Sequence, residues 1–130
     1  MKIRHIGIAV DSIEERLPVW ESFGLKLHHT EEVYSEGVTT AHLKVGGYEI
    51  ELLEPMGKDT PVGKFIDKKG PGIHHLALEV DDINESLAKA KKNGLEPIGD
   101  APRPGADNTL VAFFHPKDTG GVLLEIVQCG

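Results

Sequence analysis

The stretch His5-Ile-Gly-Ile-Ala-Val-Asp-Ser-Ile13 decides the fold, because it returns 70 residues later as His75-Leu-Ala-Leu-Glu-Val-Asp-Asp-Ile83. Histidine, valine, aspartate and isoleucine match at one fixed offset. The match continues without a gap through three further pairs, Leu17/Leu87, Gly24/Gly94 and Leu25/Leu95. Self-similarity over this distance indicates that the chain contains two copies of one structural unit.

A second match closes each half of the chain. The run Gly46-Gly-Tyr-Glu-Ile-Glu51 lies over Gly120-Gly-Val-Leu-Leu-Glu125 at an offset of 74 residues. The two offsets differ by four residues, so the second half carries only a short insertion. The duplication therefore extends over nearly the whole length of each half.

Each half is predicted to be a strand, a helix and three further strands. An apolar-rich strand comes first, at residues 4–10 and 74–80. Aspartate and serine then offer a helix N-cap, and a glycine ends each helix. The later strands are predicted at residues 25–34, 38–45 and 48–53 in the first half, and at residues 95–98, 110–114 and 122–128 in the second.

We predict one domain over residues 1–130, with module one at about 1–55, a linker at about 56–72 and module two at about 73–130. The linker is rich in Gly, Pro and Lys, and its apolar positions predict a short packing helix: Val62, Phe65 and Ile66. One helix covers only one face of a four-stranded sheet. The expected fold is therefore α+β, with two tandem βαβββ modules forming a curved mixed sheet around a shared cleft.

Composition excludes several classes of protein. The 130 residues are 39% hydrophobic, enough for a core, and their net charge of -7 without a basic run argues against nucleic-acid binding. No apolar run approaches the roughly 20 residues that a membrane span needs. The single cysteine, Cys129, cannot form an intrachain disulfide, so we expect a cytoplasmic protein without a membrane partner.

The duplication pairs polar residues that a core would not require. Each half has a histidine in its first strand and a glutamate in its last, and these residues are His5, Glu51, His75 and Glu125. A carboxylate within an apolar strand is costly unless it is neutralised or binds a cation. Strand alternation places Leu123, Glu125 and Val127 on one face. We therefore predict one shared divalent metal in the cleft.

The identity of the metal stays open. Two imidazoles and two carboxylates suit Co, Ni, Zn, Mn or Mg. In octahedral coordination, four protein ligands leave two positions for water, which a chelating substrate could displace. Such a site is catalytic rather than structural.

Other residues compete for roles in the cleft. Glu49 shares the face of Glu51 and would replace it as a ligand if the strand register differs. His42 shares the strand parity of Thr40, so both face the same side. His28 and His29 are predicted to be solvated.

The chain resembles the vicinal oxygen chelate superfamily of glyoxalase-like proteins and, within it, the methylmalonyl-CoA epimerases. The resemblance covers nearly the whole chain. Its most specific parts are the run Glu51-Leu-Leu-Glu-Pro55, the His74-His75 pair and the turn His115-Pro-Lys117. It implies a metal-dependent isomerase that interconverts the two C2 epimers of methylmalonyl-CoA by removing and returning one proton.

The resemblance also implies two acid/base groups. One matches Glu125, which would serve as metal ligand as well. The other is a glutamate in some members of the family, but this sequence has Thr40 there. His42 is the first candidate to replace it, Glu49 is the second, and reprotonation by water is the third possibility.

The remaining expectations concern ligands and rival functions. The resemblance implies an acyl-CoA substrate and a homodimer, and the candidate contacts for the CoA phosphates are Lys58, Lys64, Lys68, Lys69 and Lys117. One rival is a glyoxalase I-like lactoylglutathione lyase that uses the same four ligands. Another is a metal-free ligand-binding protein of the same fold.

Overall fold

The structure is a computed structural model that describes residues 1–130, apart from the side chain of Ala106. The first half contains β1 (Lys2–Ala9), α1 (Ile13–Glu21), β2 (Lys26–Val33), β3 (Val38–Val45), β4 (Tyr48–Pro55) and α2 (Pro61–Lys69). The second half contains β5 (Gly72–Glu79), α3 (Ile83–Lys92), β6 (Arg103–Pro104), β7 (Leu110–Phe114), α4 (Pro116–Thr119) and β8 (Leu123–Gln128). Both halves thus have the predicted order of one strand, one helix and three strands.

The chain folds into two compact units, and their bounds differ from those of the sequence repeat because residues 1–4 belong to the second unit. The first unit is residues 5–74, and the second is residues 75–130 together with residues 1–4. In the first unit the strand order is β2-β3-β4-β1. Strand β1 runs parallel to β4, whereas β2, β3 and β4 pair antiparallel. The β3–β4 hairpin turns at Gly46, whose φ of 58° suits glycine.

Apolar clusters lie on both faces of the first sheet. On the first face, Ala41, Leu43 and Leu52 are fully buried and pack against Ile13, Leu17 and Trp20 at α1. On the other face, a second cluster joins the sheet to α2: Ala9, Val38, Leu53 and Val62. That cluster lies at one end of the face, so the other end is available for polar side chains.

The second unit has the strand order β5-β8-β7-β6, again with a parallel pair, β5 and β8. Its main core lies between the sheet and α3, where Ile83 is fully buried among Val80, Ala112, Phe114 and Ile126. On the other face of the sheet, Ala77, Val111 and Val127 form a smaller cluster. Ile126 and Val127 therefore face opposite sides, as the predicted alternation in this strand requires.

Most of the predicted elements are confirmed, including the linker helix α2, but the strand predicted at residues 95–98 is wrong. That segment makes one sheet-like hydrogen bond, from Ile98 N to Phe113 O at 2.8 Å, and Pro97 lacks the N–H that a continuous ladder needs. The short strand β6 pairs with β7 instead. Among the described residues, none of the helices is long and apolar enough to cross a membrane.

The duplication extends to the way each long helix begins. The N–H of Ile13 donates to Glu54 Oε1 at 2.7 Å, and the N–H of Ile83 donates to Gln128 Oε1 at 2.8 Å. In each half, a residue at the end of the last strand thus satisfies a free N–H at the start of the helix. Ser12 and Asp82 supply the local N-caps.

Candidate active site

The polar end of the first sheet carries two rows of ionisable side chains. Strand pairing aligns one row across all four strands, consisting of His5, Glu49, Lys44 and Lys26. The next row on the same face consists of Glu51, His42 and His29. We call these seven residues the polar face. The three histidines and two glutamates among them are buried or half-buried, which is expensive without a ligand, so this surface is a candidate functional site.

His5 and Glu51 approach each other on this face. His5 Nε2 lies 3.9 Å from Glu51 Oε2, and the two side chains are only 10% and 12% exposed. His42 Nδ1 lies 3.6 Å from the same carboxylate oxygen. Glu51 thus has an imidazole on either side, whereas the carboxylate of Glu49 is directed toward His42.

His42 connects Thr40 to Glu49. Its Nε2 is 2.9 Å from Thr40 Oγ1, and its Nδ1 is 3.3 Å from Glu49 Oε1. Burial lowers the pKa of His42 below its usual value, and repulsion by His29 lowers it further, although Glu49 opposes the change. A buried imidazole with a lowered pKa is neutral near pH 7 and is able to accept a proton.

His29 is a functional-site neighbour that the sequence did not reveal. Its ring stacks on that of His42, with centroids 4.1 Å apart and an interplanar angle of 8°. Its Nε2 is buried without a hydrogen-bond partner among the described residues. The prediction that His29 is solvated was therefore wrong, whereas the neighbouring His28 is exposed. A β-bulge between Leu27 and His29 shifts the parity of β2, which alternation alone cannot show.

The second unit contains the equivalent pair. His75 Nε2 lies 3.4 Å from Glu125 Oε1, and the side chains are 7% and 10% exposed. Glu125 is flanked across the sheet by Ala77 and Phe113. The Arg103 guanidinium lies over the Phe113 ring, 5.2 Å from its centroid.

His42 and Phe113 occupy equivalent positions in the two units. Each is the antiparallel partner of the repeat-matched glutamate, Glu51 or Glu125. One glutamate therefore has an ionisable ring as its cross-strand neighbour, and the other has an apolar aromatic ring. The repeat thus has the same histidine and carboxylate in both halves, but the cross-strand neighbour of the carboxylate differs between the halves.

Both histidine–carboxylate pairs have the chemistry of metal ligands. Adjacent ligands of one ion, each about 2.1 Å from it, stand roughly 3 Å apart in octahedral geometry. The pairs are spaced at 3.9 Å and 3.4 Å, longer than a typical N–H···O hydrogen bond of about 2.9 Å. Imidazole and carboxylate together suit a borderline or hard divalent ion. Each pair by itself thus has the chemistry and the burial of metal ligands.

Sequence comparison identifies the group of proteins that this chain resembles. Residues 4–113 match the Glyoxalase/Bleomycin resistance protein/Dioxygenase superfamily. The mitochondrial methylmalonyl-CoA epimerase of Homo sapiens is 33% identical over 129 residues, which cover 98% of this chain and 73% of that protein. A lactoylglutathione lyase of Neisseria meningitidis is more distant, at 25% identity over 98% of this chain and 91% of the lyase.

Solved structures give the same result. A hypothetical protein from Bacillus halodurans has a TM-score of 0.95 at 46% identity, covering 99% of this chain and 94% of that one. A methylmalonyl-CoA epimerase variant of Streptomyces coelicolor, in complex with 2-nitronate-propionyl-CoA, has a TM-score of 0.93 at 34% identity. The coverage is 100% of this chain and 98% of the Streptomyces chain. The α+β fold expected from the repeat is confirmed by these matches.

Proposed function

Because this chain belongs to the Glyoxalase/Bleomycin resistance protein/Dioxygenase superfamily, we propose that it is a methylmalonyl-CoA epimerase, an isomerase that interconverts the (R) and (S) forms at C2. Relatives of that name are similar over nearly the whole chain, at 33% identity for the human enzyme. The observation that carries the proposal is the presence of a buried histidine–carboxylate pair on equivalent strands of both halves.

We propose that His5, Glu51, His75 and Glu125 together hold one divalent metal ion, which would be Co, Ni, Zn, Mn or Mg. Two carboxylates balance the charge of such an ion, and the near-complete burial of both pairs keeps competing water away. When bound, the metal supplies an electrophile for the substrate oxygens at which negative charge develops.

Glu125 is the proposed base on one face of the substrate. Its carboxylate accepts the proton from C2, and the electron pair of the broken C–H bond is delocalised toward the thioester oxygen as an enolate. Its side chain is only 10% exposed, and Phe113 lies opposite it on β7.

His42 is the proposed acid/base group on the opposite face. Thr40 is not itself basic near neutral pH, but its hydroxyl is hydrogen-bonded to His42 Nε2, and Glu49 orients the ring through Nδ1. In one direction, Glu125 takes the proton and protonated His42 gives one to the other face of C2. Exchange with solvent then deprotonates Glu125 and reprotonates His42, and the reverse reaction uses the same groups in exchanged roles.

The decisive experiment follows the C2 proton of methylmalonyl-CoA by NMR in deuterated water with metal-loaded protein. We expect the C2 proton signal to disappear with the wild type. Glu125→Gln removes the base on one face together with a charged ligand of the metal on which removal from either face depends, so exchange should stop for both epimers. Glu79→Gln is the matched control, because Glu79 lies on β5 and pairs with Lys2 and Arg4 instead.

Three outcomes would count against the proposal. Exchange at the wild-type rate in Glu125→Gln would remove that residue from its role. Faster turnover of methylglyoxal with glutathione than of methylmalonyl-CoA would favour the lactoylglutathione lyase, whose relatives are only 25% identical to this chain. Elemental analysis without a stoichiometric metal would favour a binding protein of the same fold.

We further propose that the protein acts as a homodimer in the cytoplasm. The single cysteine, Cys129, is consistent with a reducing compartment, because the chain needs no disulfide of its own. Sedimentation of the purified protein would test the dimer.

A further inference from the structure

Lys26 and Lys44 lie directly opposite each other on β2 and β3. We call them the lysine pair. Like charges at facing positions of an antiparallel ladder destabilise the sheet. This arrangement is unexpected in a chain with a net charge of -7, where an acidic partner for either lysine is easy to supply. Since the two lysines do not stabilise the sheet, we looked to ligand binding for their role.

The lysine pair is available to a ligand. Among the residues that the structure describes, neither ammonium group has an ion pair or a hydrogen bond. Glu49 is the other cross-strand neighbour of Lys44, but its carboxylate is held by His42 at 3.3 Å. Both lysines line a surface cavity of about 350 Å³ together with Gly24, Leu27 and His28.

The position of this cavity relates it to the polar face. The lysine pair completes the row that begins at His5, with Glu49 between Lys44 and His5. At about 4.8 Å per strand, Lys26 is roughly 14 Å across the sheet from His5. A ligand that reaches from one end of the row to the other needs an extended arm with an anionic group at its far end.

We propose that the lysine pair binds a phosphate group of the CoA part of the substrate. This inference rests on the proposed function, because the thioester must lie near His5 and Glu51. Coenzyme A carries its phosphates on a long pantetheine arm, which matches the separation along the row. Two ammonium groups at facing positions suit a phosphate dianion, and they create the local positive potential that an acidic protein needs to attract it.

The candidate phosphate contacts from sequence are less suited to this role. Lys68 and Lys69 end α2 and are exposed, and Lys69 Nζ lies over the Phe65 ring at 5.8 Å. Lys58, Lys64 and Lys117 are exposed, as the lysine pair is, so position rather than exposure separates the candidates. None of these five lines the cavity beside the polar face.

The test compares two thioesters in the metal-loaded protein. With methylmalonyl-CoA, the Lys26→Ala/Lys44→Ala variant should show a KM about tenfold higher than the wild type, with kcat nearly unchanged, since charge-assisted hydrogen bonds to the phosphate are lost. With methylmalonyl-pantetheine, which has no phosphate, variant and wild type should behave alike. The difference should shrink as salt is raised.

The variant Lys68→Ala/Lys69→Ala is the matched control and also the rival assignment. It should leave KM for methylmalonyl-CoA within about twofold of the wild type. A larger effect in this control than in the lysine-pair variant would overturn the proposal. An equal rise in KM for both thioesters in the lysine-pair variant would overturn it as well, because the effect would then not depend on binding of the phosphate.

Calorimetric binding of 3′-phosphoadenosine 5′-diphosphate separates this inference from the proposed reaction. We expect about tenfold weaker binding in the lysine-pair variant than in the wild type, whether or not the protein epimerises anything. Unchanged binding would overturn the phosphate site. Lysine-dependent binding without any epimerase activity would support the phosphate site and contradict the reaction.

The single variant Lys44→Ala should have a Tm equal to or higher than that of the wild type, since it removes the repulsion between the two lysines.

Discussion

At the scale of single residues, the difference between His42 and Phe113 separates the two halves of the site. The two residues face Glu51 and Glu125 from equivalent strand positions. An ionisable imidazole lies opposite Glu51, and an apolar phenyl ring lies opposite Glu125. The stacked His29 keeps the His42 imidazole from rotating away from Thr40.

This asymmetry predicts an unequal effect of removing His42. In His42→Gln, the epimer whose C2 proton faces Glu125 should still exchange with deuterium, because Glu125 is intact. Conversion to the other epimer should slow by roughly 100-fold, the usual contribution of one acid/base group. NMR of each pure epimer in deuterated water measures the two rates separately.

The exposed His28 supplies the control for this experiment. His28→Gln removes an imidazole that lines the cavity of the lysine pair but does not contact His42, so it should leave both rates unchanged at saturating substrate. Wild-type epimerisation in His42→Gln would show that Glu49 or water protonates the second face. The Thr40–His42–Glu49 contacts would then have only a structural role.

At the scale of elements, both halves use the end of the last strand to start the helix that follows the first strand. Glu54 accepts from the N–H of Ile13, and Gln128 accepts from the N–H of Ile83. The second glutamate of the run Glu51-Leu-Leu-Glu-Pro55 is therefore structural, although only two residues separate it from a proposed metal ligand. The two glutamates of that run differ in role because alternation places them on opposite faces of β4.

Removing the side chain of Gln128 should weaken the second unit. Gln128→Ala leaves the N–H of the fully buried Ile83 without its acceptor, which costs about 1–2 kcal/mol in the free energy of unfolding. Gln128→Glu should lose much less, because a carboxylate accepts the same hydrogen bond in the first unit. Urea denaturation measures both values, and equal losses in the two variants would contradict this account.

At the scale of the whole molecule, the duplication distributes the proposed metal ligands evenly, with one histidine and one glutamate from each half. His5→Ala and His75→Ala should therefore each lower metal affinity by at least about 100-fold. The wild-type Tm should fall when a chelator removes the metal, since the ion stabilises the folded state by binding it. Neither variant should show this chelator-dependent shift.

Thermal unfolding with and without chelator measures this effect, and His28→Ala is the control that keeps the wild-type shift. If only one of the two histidine variants lost the shift, the metal would belong to one half alone. The duplication would then explain the fold but not a shared ion.

The sequence by itself determined the duplication, most of the order of strands and helices, and the four matched residues that are proposed as metal ligands. These features depend on periodicity and on local signals such as N-caps and glycines, which operate within a few residues of each other. The sequence also indicated that Thr40 and His42 share a face, because alternation holds along an unbroken strand. Family membership follows from the same pattern, since the run from Glu51 to Pro55 and the matched histidines are contiguous motifs.

Only the tertiary structure showed which contacts are made by residues whose neighbours lie on another strand. The bulge in β2 turned His29 onto His42, and the register between β2 and β3 brought Lys26 opposite Lys44. The segment that pairs with β7 is Arg103–Pro104, not the strand predicted at residues 95–98. In each case the cause is cross-strand pairing, and its register depends on hydrogen bonds between segments that no local pattern of apolar and polar residues encodes.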